Sequence, residues 1–212
     1  MSLPSKKDRL AMHYGSDRPD VLPFNPFKAI IAPRPIGWIG TLNADGVANL
    51  APYSFFNGVG SGPDMVMFAS EGAKHSYINA RDTGEFTFSL VTADLVDAMN
   101  IASENVPDGI SEFDLAGLEK GQPVVIRAPF VAASPAAMEC VTIDAFQIKD
   151  RHGVLLDRYV VIGEVVRTHI KDEFLQEGIF DTSAATPVAR LGYREYTTIT
   201  QSWTLRRPDD PV

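Results

Sequence analysis

The stretch Pro33-Arg34-Pro35-Ile36-Gly37-Trp38-Ile39-Gly40-Thr41-Leu42, Asn43-Ala44-Asp45-Gly46, Val47-Ala48-Asn49-Leu50-Ala51-Pro52-Tyr53-Ser54-Phe55-Phe56 constrains the fold more than any other. Apolar, β-prone runs flank Asp45-Gly46, a pair that tolerates the positive φ angles of a tight turn, so the segment predicts two paired strands. Gly37 and Gly40 fall inside the first of them, where glycine weakens pairing and marks a bulge, a barrel corner or a close approach to the backbone. A bound ring is one such close neighbour; the curvature of a small barrel is the other reading.

A chain of 212 residues, 45% of them hydrophobic, can bury a real core, and we read a polar, proline-bearing arm over residues 1–26 followed by one domain over 27–212. No stretch is long and apolar enough to span a bilayer, and Met1-Ser2-Leu3-Pro4-Ser5-Lys6-Lys7-Asp8 lacks the apolar core of a signal peptide. A soluble, cytoplasmic protein without a membrane partner is the expectation. The single Cys140 lies in an apolar run and reads as a packed thiol. A formal net charge of -8 argues against nucleic acid as a general partner.

Further along, the glycine-dense Asn57 to Asp64 segment predicts a loop, and its glycines miss the dinucleotide-binding spacing. Met65 to Ala69 predicts a strand, Lys74 to Asp82 a short helix closed by Gly84, and Glu85 to Val91 a strand of period two. Thr92 or Asp94 is placed to cap a helix carrying Leu95, Val96, Met99 and Ile101, and a further helical turn fits Ser111 to Leu118. Two long β segments are expected over Val124 to Val131 and Ala136 to Lys149, then a turn at Asp150-Arg151-His152-Gly153 and a strand from Tyr159 to Ile170. Short strands, few helices and no βαβ rhythm predict a mainly β fold, an antiparallel barrel with helical decoration.

His13, His75, His152 and His169 show no metal-ligand spacing, so no metal site is expected, and no nucleophile elbow is present. Chance pairs among 27 carboxylates assign no acid or base, and we name no catalytic side chain. Lys74-His75-Ser76 at a helix start offers backbone N–H groups, a hydroxyl and a cation to an anion such as a phosphate; the plainer reading is a helix cap and a solvated lysine. Thr41 and Ser54 offer hydroxyls to a polar chain or ring edge, and Trp38, Tyr53 and Phe55 read as core aromatics.

Pro33-Arg34-Pro35, Ala51-Pro52-Tyr53-Ser54, Thr83-Gly84-Glu85-Phe86, Glu139-Cys140, Ile162-Gly163-Glu164-Val165, Ala189-Arg190-Leu191-Gly192 and Tyr196 occur in an order that resembles the flavin reductase-like family. That family comprises FMN-binding split barrels, flavoredoxins and reductase components of two-component monooxygenases. The resemblance implies an antiparallel split barrel and a homodimer with FMN, or FAD, near the subunit interface. It also implies NADH or NADPH as donor and a monooxygenase or another electron acceptor as partner. Carried over by position, Trp38, Thr41, Ala51, Pro52, Tyr53, Ser54 and Phe55 line the flavin and Ser70 lies beside it. Lys74, Ser76 and Asn79 serve the phosphate, with Arg34 and Arg190 as further anion-binding residues. Two departures stand out: His75-Ser76 replaces an Asp-Thr pair, and Asp157-Arg158-Tyr159-Val160 lacks the histidine that many short-chain members place before the glycine. The resemblance implies a flavin reductase; a flavoredoxin-like electron carrier, which the missing histidine favours, and a barrel holding haem or a deazaflavin are the alternatives.

Overall fold

The computed structural model describes residues 12–107 and 109–208. Met1 to Ala11 of the expected arm lie outside the described residues, and 12–26 carry no helix or strand and no buried side chain. The strands are β1 (Arg34–Pro35), β2 (Gly37–Leu42), β3 (Ala48–Tyr53), β4 (Phe56–Gly60), β5 (Met65–Glu71), β6 (Glu85–Leu90) and β7 (Lys120–Gly121). They continue with β8 (Phe130–Val131), β9 (Ala136–Lys149), β10 (Leu155–Ile170), β11 (Leu175–Gln176), β12 (Ile179–Phe180), β13 (Val188–Arg190) and β14 (Tyr196–Thr198). Among the described residues five α-helices join them: α1 (Phe27–Ile30), α2 (His75–Thr83), α3 (Val96–Ile101), α4 (Glu112–Leu115) and α5 (Thr182–Ala185).

Seven strands form one antiparallel sheet in the order β3-β2-β6-β9-β10-β5-β4. Its two edge strands, β3 and β4, are separated in the chain only by Ser54 and Phe55, so the sheet must curl to bring both edges to one corner. That is the expected antiparallel barrel, left split along one side. Gly46, with φ of 81°, turns the β2–β3 hairpin, as Asp45-Gly46 predicts.

Strand alternation gives two cores. Ile39, Tyr53, Phe56, Phe68, Phe86, Phe88 and Cys140 fill the inside of the curl, while Ile36, Trp38, Leu50, Met99, Phe113 and Val131 pack on the outer face of β2 and β3. β2 lies between them and is buried on both faces from Gly37 to Thr41. Burial raises the Cys140 thiol to about 12, with Glu139 adding to the effect, which fits the packed thiol read from sequence. The glycines of β2 face close neighbours from the chain itself: a Cβ on Gly37 would lie 2.4 Å from the Phe56 ring, and one on Gly40 2.3 Å from the Pro129 carbonyl oxygen.

Three predicted elements differ. Val124 to Val131 is not a long strand, because the backbone N–H groups of Val124, Val125 and Ile126 donate to the buried Glu139 carboxylate and only Phe130–Val131 pairs. Phe56–Gly60, which takes in the first four residues of the segment predicted as a loop, pairs with β5, since ladder bonds need no side chain. The helix after Thr92 opens as a 3₁₀ turn over Ala93–Leu95, Thr92 makes no side-chain cap bond, and of its apolar residues only Met99 is buried. Helix α2 ends at Gly84 in the left-handed conformation, as predicted. Among the described residues no helix is long and apolar enough to cross a membrane.

Candidate functional site

A cavity of about 670 Å³ opens between β3, the start of α2 and the Ala102 to Ile110 connection. Its size falls within the roughly 300–1,000 Å³ of small-molecule sites. One wall is Ala48 to Tyr53; because β3 is an edge strand, the backbone groups on its outer side have no strand partner. The opposite end is the first turn of α2, where Lys74 stands at the N-cap without a side-chain bond to the helix. Backbone N–H groups of a first helical turn have no acceptor within their own helix, so this end combines aligned N–H dipoles with the Lys74 ammonium.

A buried hydrogen-bond network fixes the floor. Ser76 Oγ donates to Asn49 Oδ1 at 2.8 Å, and Asn49 Nδ2 donates to Glu112 Oε1 at 2.6 Å. The Leu50 N–H donates to Glu112 Oε2 at 2.9 Å, Thr41 Oγ1 to Asn49 Oδ1 at 3.3 Å, and Asn79 Nδ2 to Thr41 Oγ1 at 3.1 Å. One group in the wall stays unmatched: the Tyr53 hydroxyl is buried with no partner at hydrogen-bonding geometry. Burial, with Glu112 adding to it and the Ser76 and Ser70 hydroxyls opposing it, pushes the Tyr53 phenol above its ordinary value, so it keeps its proton and remains a donor.

Of the residues singled out in the sequence, Ala51, Pro52, Tyr53, Lys74, Ser76 and Asn79 all line this cavity. Thr41 lies behind it, bonded to Asn49 and Asn79, and Ser70 is buried with its hydroxyl on the Gly72 carbonyl. Trp38 is enclosed in the outer core, away from the cavity, and Ser54 is not among the lining residues. Phe55 sits instead beneath Lys28 and Arg34, whose cationic groups lie 5.3 and 6.0 Å from its ring centre. Arg34 and Arg190 face each other on β1 and β13, outside the lining, and their guanidinium groups bond to carbonyls and to Tyr196. Burial and the neighbouring Arg190 both lower the Arg34 guanidinium below its ordinary value.

Sequence reasoning passed over Asn49 and Glu112, the centre of the network. Asn49 carried a signal, a polar residue inside an apolar strand; Glu112 carried none. A group bearing a phosphate and a flat ring fits what is present: a cationic helix start at one end, an open strand edge along the side and an unmatched buried donor in the wall.

A family model described as a flavin reductase like domain matches residues 31–190. A protein of Deinococcus radiodurans, itself uncharacterised, is 34% identical over 178 residues, covering 78% of this chain and 75% of its own. The structure of nitrilotriacetate monooxygenase component B from Bacillus cereus superposes with a TM-score of 0.85 at 26% identity, over 93% of this chain and 100% of that one. A 2-nitrobenzoate 2-nitroreductase of Pseudomonas fluorescens shares the fold at a TM-score of 0.81 and 24% identity, over 93% of this chain and 97% of that one.

Proposed function

This chain belongs to the flavin reductase-like family, and on that premise we propose that it is an FMN-binding oxidoreductase that takes hydride from NADH or NADPH and passes electrons to a partner. The observation that carries the reading is the cavity between β3 and α2, with its cationic helix start facing an open strand edge. When bound, the flavin supplies a two-electron acceptor that can deliver electrons onward singly or in pairs.

The chain's own residues then have defined tasks. Lys74 and the first-turn N–H groups of α2 hold the phosphate, and Ser76 sets the β3 floor through Asn49 rather than spending its hydroxyl on the ligand. Ala51 and Pro52 give the ring an apolar wall, and Tyr53 donates from its buried hydroxyl. The Ala102 to Pro107 segment covers the opposite side and limits water. No side chain is needed as a proton donor or acceptor.

A monooxygenase is the partner suggested by the component B likeness. A homodimer agrees with the exposed apolar side chains Val141, Ile143, Phe146 and Val166 on β9 and β10. Titrating the purified protein with FMN while recording the visible spectrum tests the reading, and absence of binding at micromolar flavin ends it. Stopped-flow mixing of the FMN form with NADH and NADPH then tests turnover. The second reading, an electron carrier without nucleotide turnover, is favoured by Tyr159, which packs against Tyr77 at 4.6 Å between ring centres in the segment that lacks the histidine. Rapid bleaching with turnover excludes it.

A further inference from the structure

Helix α2 opens with charges that oppose helix formation. Acids in a first turn complement the positive end of the helix dipole and cations work against it, yet α2 has Lys74 at its N-cap, His75 as its first residue and no acid in its first turn. Lys74 makes no side-chain cap bond, and the neighbouring Ser76 hydroxyl donates to Asn49 Oδ1. Such a start is unfavourable for the helix alone and favourable once an anion is seated on it. Lys74, His75 and Ser76 all line the larger cavity, so the place of that anion is inside it. Tyr53, 8% exposed and in the same lining, marks the cavity independently through a hydroxyl with no partner at hydrogen-bonding geometry.

A phosphate monoester carries close to two negative charges at neutral pH, more than one ammonium balances. Lys74 is a fixed cation, whereas an imidazole changes charge between about pH 5 and 8. We propose that His75 is the second side chain that holds the phosphate in this cavity, and that its imidazole takes up a proton as the phosphate enters, so that the chain holds flavin phosphate more tightly on the acid side of neutrality. The proton comes from solvent and returns there on release; it plays no part in electron transfer. The proposal rests on the flavin reading for the molecule that carries the phosphate. Among the described residues the other titratable side chains lining the cavity are Lys74, Glu104, Glu112 and Tyr53. Glu112 is bonded to Asn49 and the Leu50 N–H, Tyr53 keeps its proton and Glu104 is exposed on the covering segment. His75 is therefore the member of this set whose residue type changes charge near neutrality.

The test is calorimetric titration of the full chain with FMN and with riboflavin, at about pH 7.5 where the phosphate is mainly a dianion, in buffers of different ionisation enthalpy so that protons taken up on binding are counted. The natural chain is expected to take up roughly half a proton with FMN and none with riboflavin, whereas His75→Asn takes up none with either. Between about pH 6 and 8 its FMN affinity is expected to fall about tenfold relative to that of His75→Asn, the size of one charge-assisted hydrogen bond. The variant's own profile accounts for titration of the phosphate itself. His75→Lys keeps a charge that does not titrate there; it is expected to hold FMN tightly over the whole range without proton uptake, and it serves alone if His75→Asn does not fold. Equal proton uptake in the natural chain and the variants, or a pH dependence shared equally by riboflavin, overturns the proposal. If FMN does not bind at all, the flavin reading falls and inorganic phosphate takes its place in the same titration. Proton uptake with phosphate that His75→Asn loses then leaves the role of His75 standing, and its absence overturns that as well.

Discussion

Glu112 and Asn49 meet through a 2.6 Å hydrogen bond from Asn49 Nδ2 to Oε1, while the other carboxylate oxygen takes the Leu50 N–H, so one buried acid from α4 fastens two consecutive residues of β3. Removing it leaves two buried donors unmatched, each costing roughly 1–3 kcal/mol. Glu112→Ala is therefore expected to lower unfolding free energy by about 3 kcal/mol in urea titration and to weaken FMN, because Asn49 and Ser76 lose their fixed floor. Glu112→Gln, which keeps an acceptor for one donor, is expected to lose about half as much. Equal stability of all three proteins would show that the network bears no weight.

Lys74 and Ser76 are both phosphate candidates in the sequence, and their side chains stand in different surroundings. Lys74 makes no side-chain cap bond, whereas Ser76 is buried and bonded to Asn49. Lys74→Ala is expected to weaken FMN about tenfold and leave riboflavin, which has no phosphate, unchanged. Ser76→Ala is expected to weaken both alike. Fluorescence titration with the two flavins distinguishes these patterns, and a Lys74→Ala loss shared equally by riboflavin would move the phosphate elsewhere.

Glu139 gives the fold an acid-sensitive clamp. Burial pushes its carboxyl up, but the Ile126 and Val124 N–H groups, His169 Nε2 at 2.7 Å and the Val125 N–H outweigh this and bring it down from 4.5 to about 2. The folded value is below the unfolded one, so its stabilising contribution is complete above pH 4.5 and is lost as pH falls toward 2. Urea midpoints of the natural chain and Glu139→Gln are expected to differ most near neutral pH and to converge between pH 4.5 and 2. A gap that stays constant over that interval contradicts the clamp.

The sequence made legible whatever depends on local pattern. Lys74 through Gly84 showed a helix with its glycine stop, Asp45-Gly46 showed the hairpin, and six residues near these two landmarks converge on one cavity. Elements whose backbone partners are distant side chains were not legible: the Val124 to Ile126 run has β-prone residues, but its N–H groups belong to Glu139, 13 to 15 positions onward. Phe56–Gly60 was obscured for the opposite reason, since glycine pairs through its backbone while offering no side-chain pattern. Glu112 meets Asn49 across 63 positions, a contact that only the packed α4 creates. Arg34 and Arg190 suggested an anion, yet strand pairing sets them opposite each other on β1 and β13.

Gly40 tests whether the β2 glycines serve barrel packing. A Cβ there would lie 2.3 Å from the Pro129 carbonyl oxygen and 2.4 Å from Thr87 Oγ1, which itself donates to that carbonyl at 2.7 Å. Forcing a methyl group into this contact costs roughly 1–3 kcal/mol, and Gly40→Ala is expected at the upper end because a backbone carbonyl must move. Gly15→Ala, with nothing within 4 Å, is the control and should change the unfolding free energy by under about 0.5 kcal/mol. A thermal scan in which both variants match the natural chain would mean that the β8 approach yields easily.

Tyr53 offers the sharpest separation of structure from binding, because its hydroxyl is buried near the Ser70 and Ser76 hydroxyls with no partner at hydrogen-bonding geometry. A buried polar group without a partner destabilises, so Tyr53→Phe in the absence of flavin is expected to leave stability unchanged or raise it by up to about 1 kcal/mol. The same substitution removes a donor that burial keeps protonated, and should weaken FMN by about five- to tenfold, equal to one hydrogen bond. Paired measurement of urea unfolding and FMN affinity checks both signs at once. The opposite outcome, a clear loss of stability with FMN affinity intact, would assign the hydroxyl to Ser70 and Ser76 inside the fold and remove Tyr53 from the binding surface.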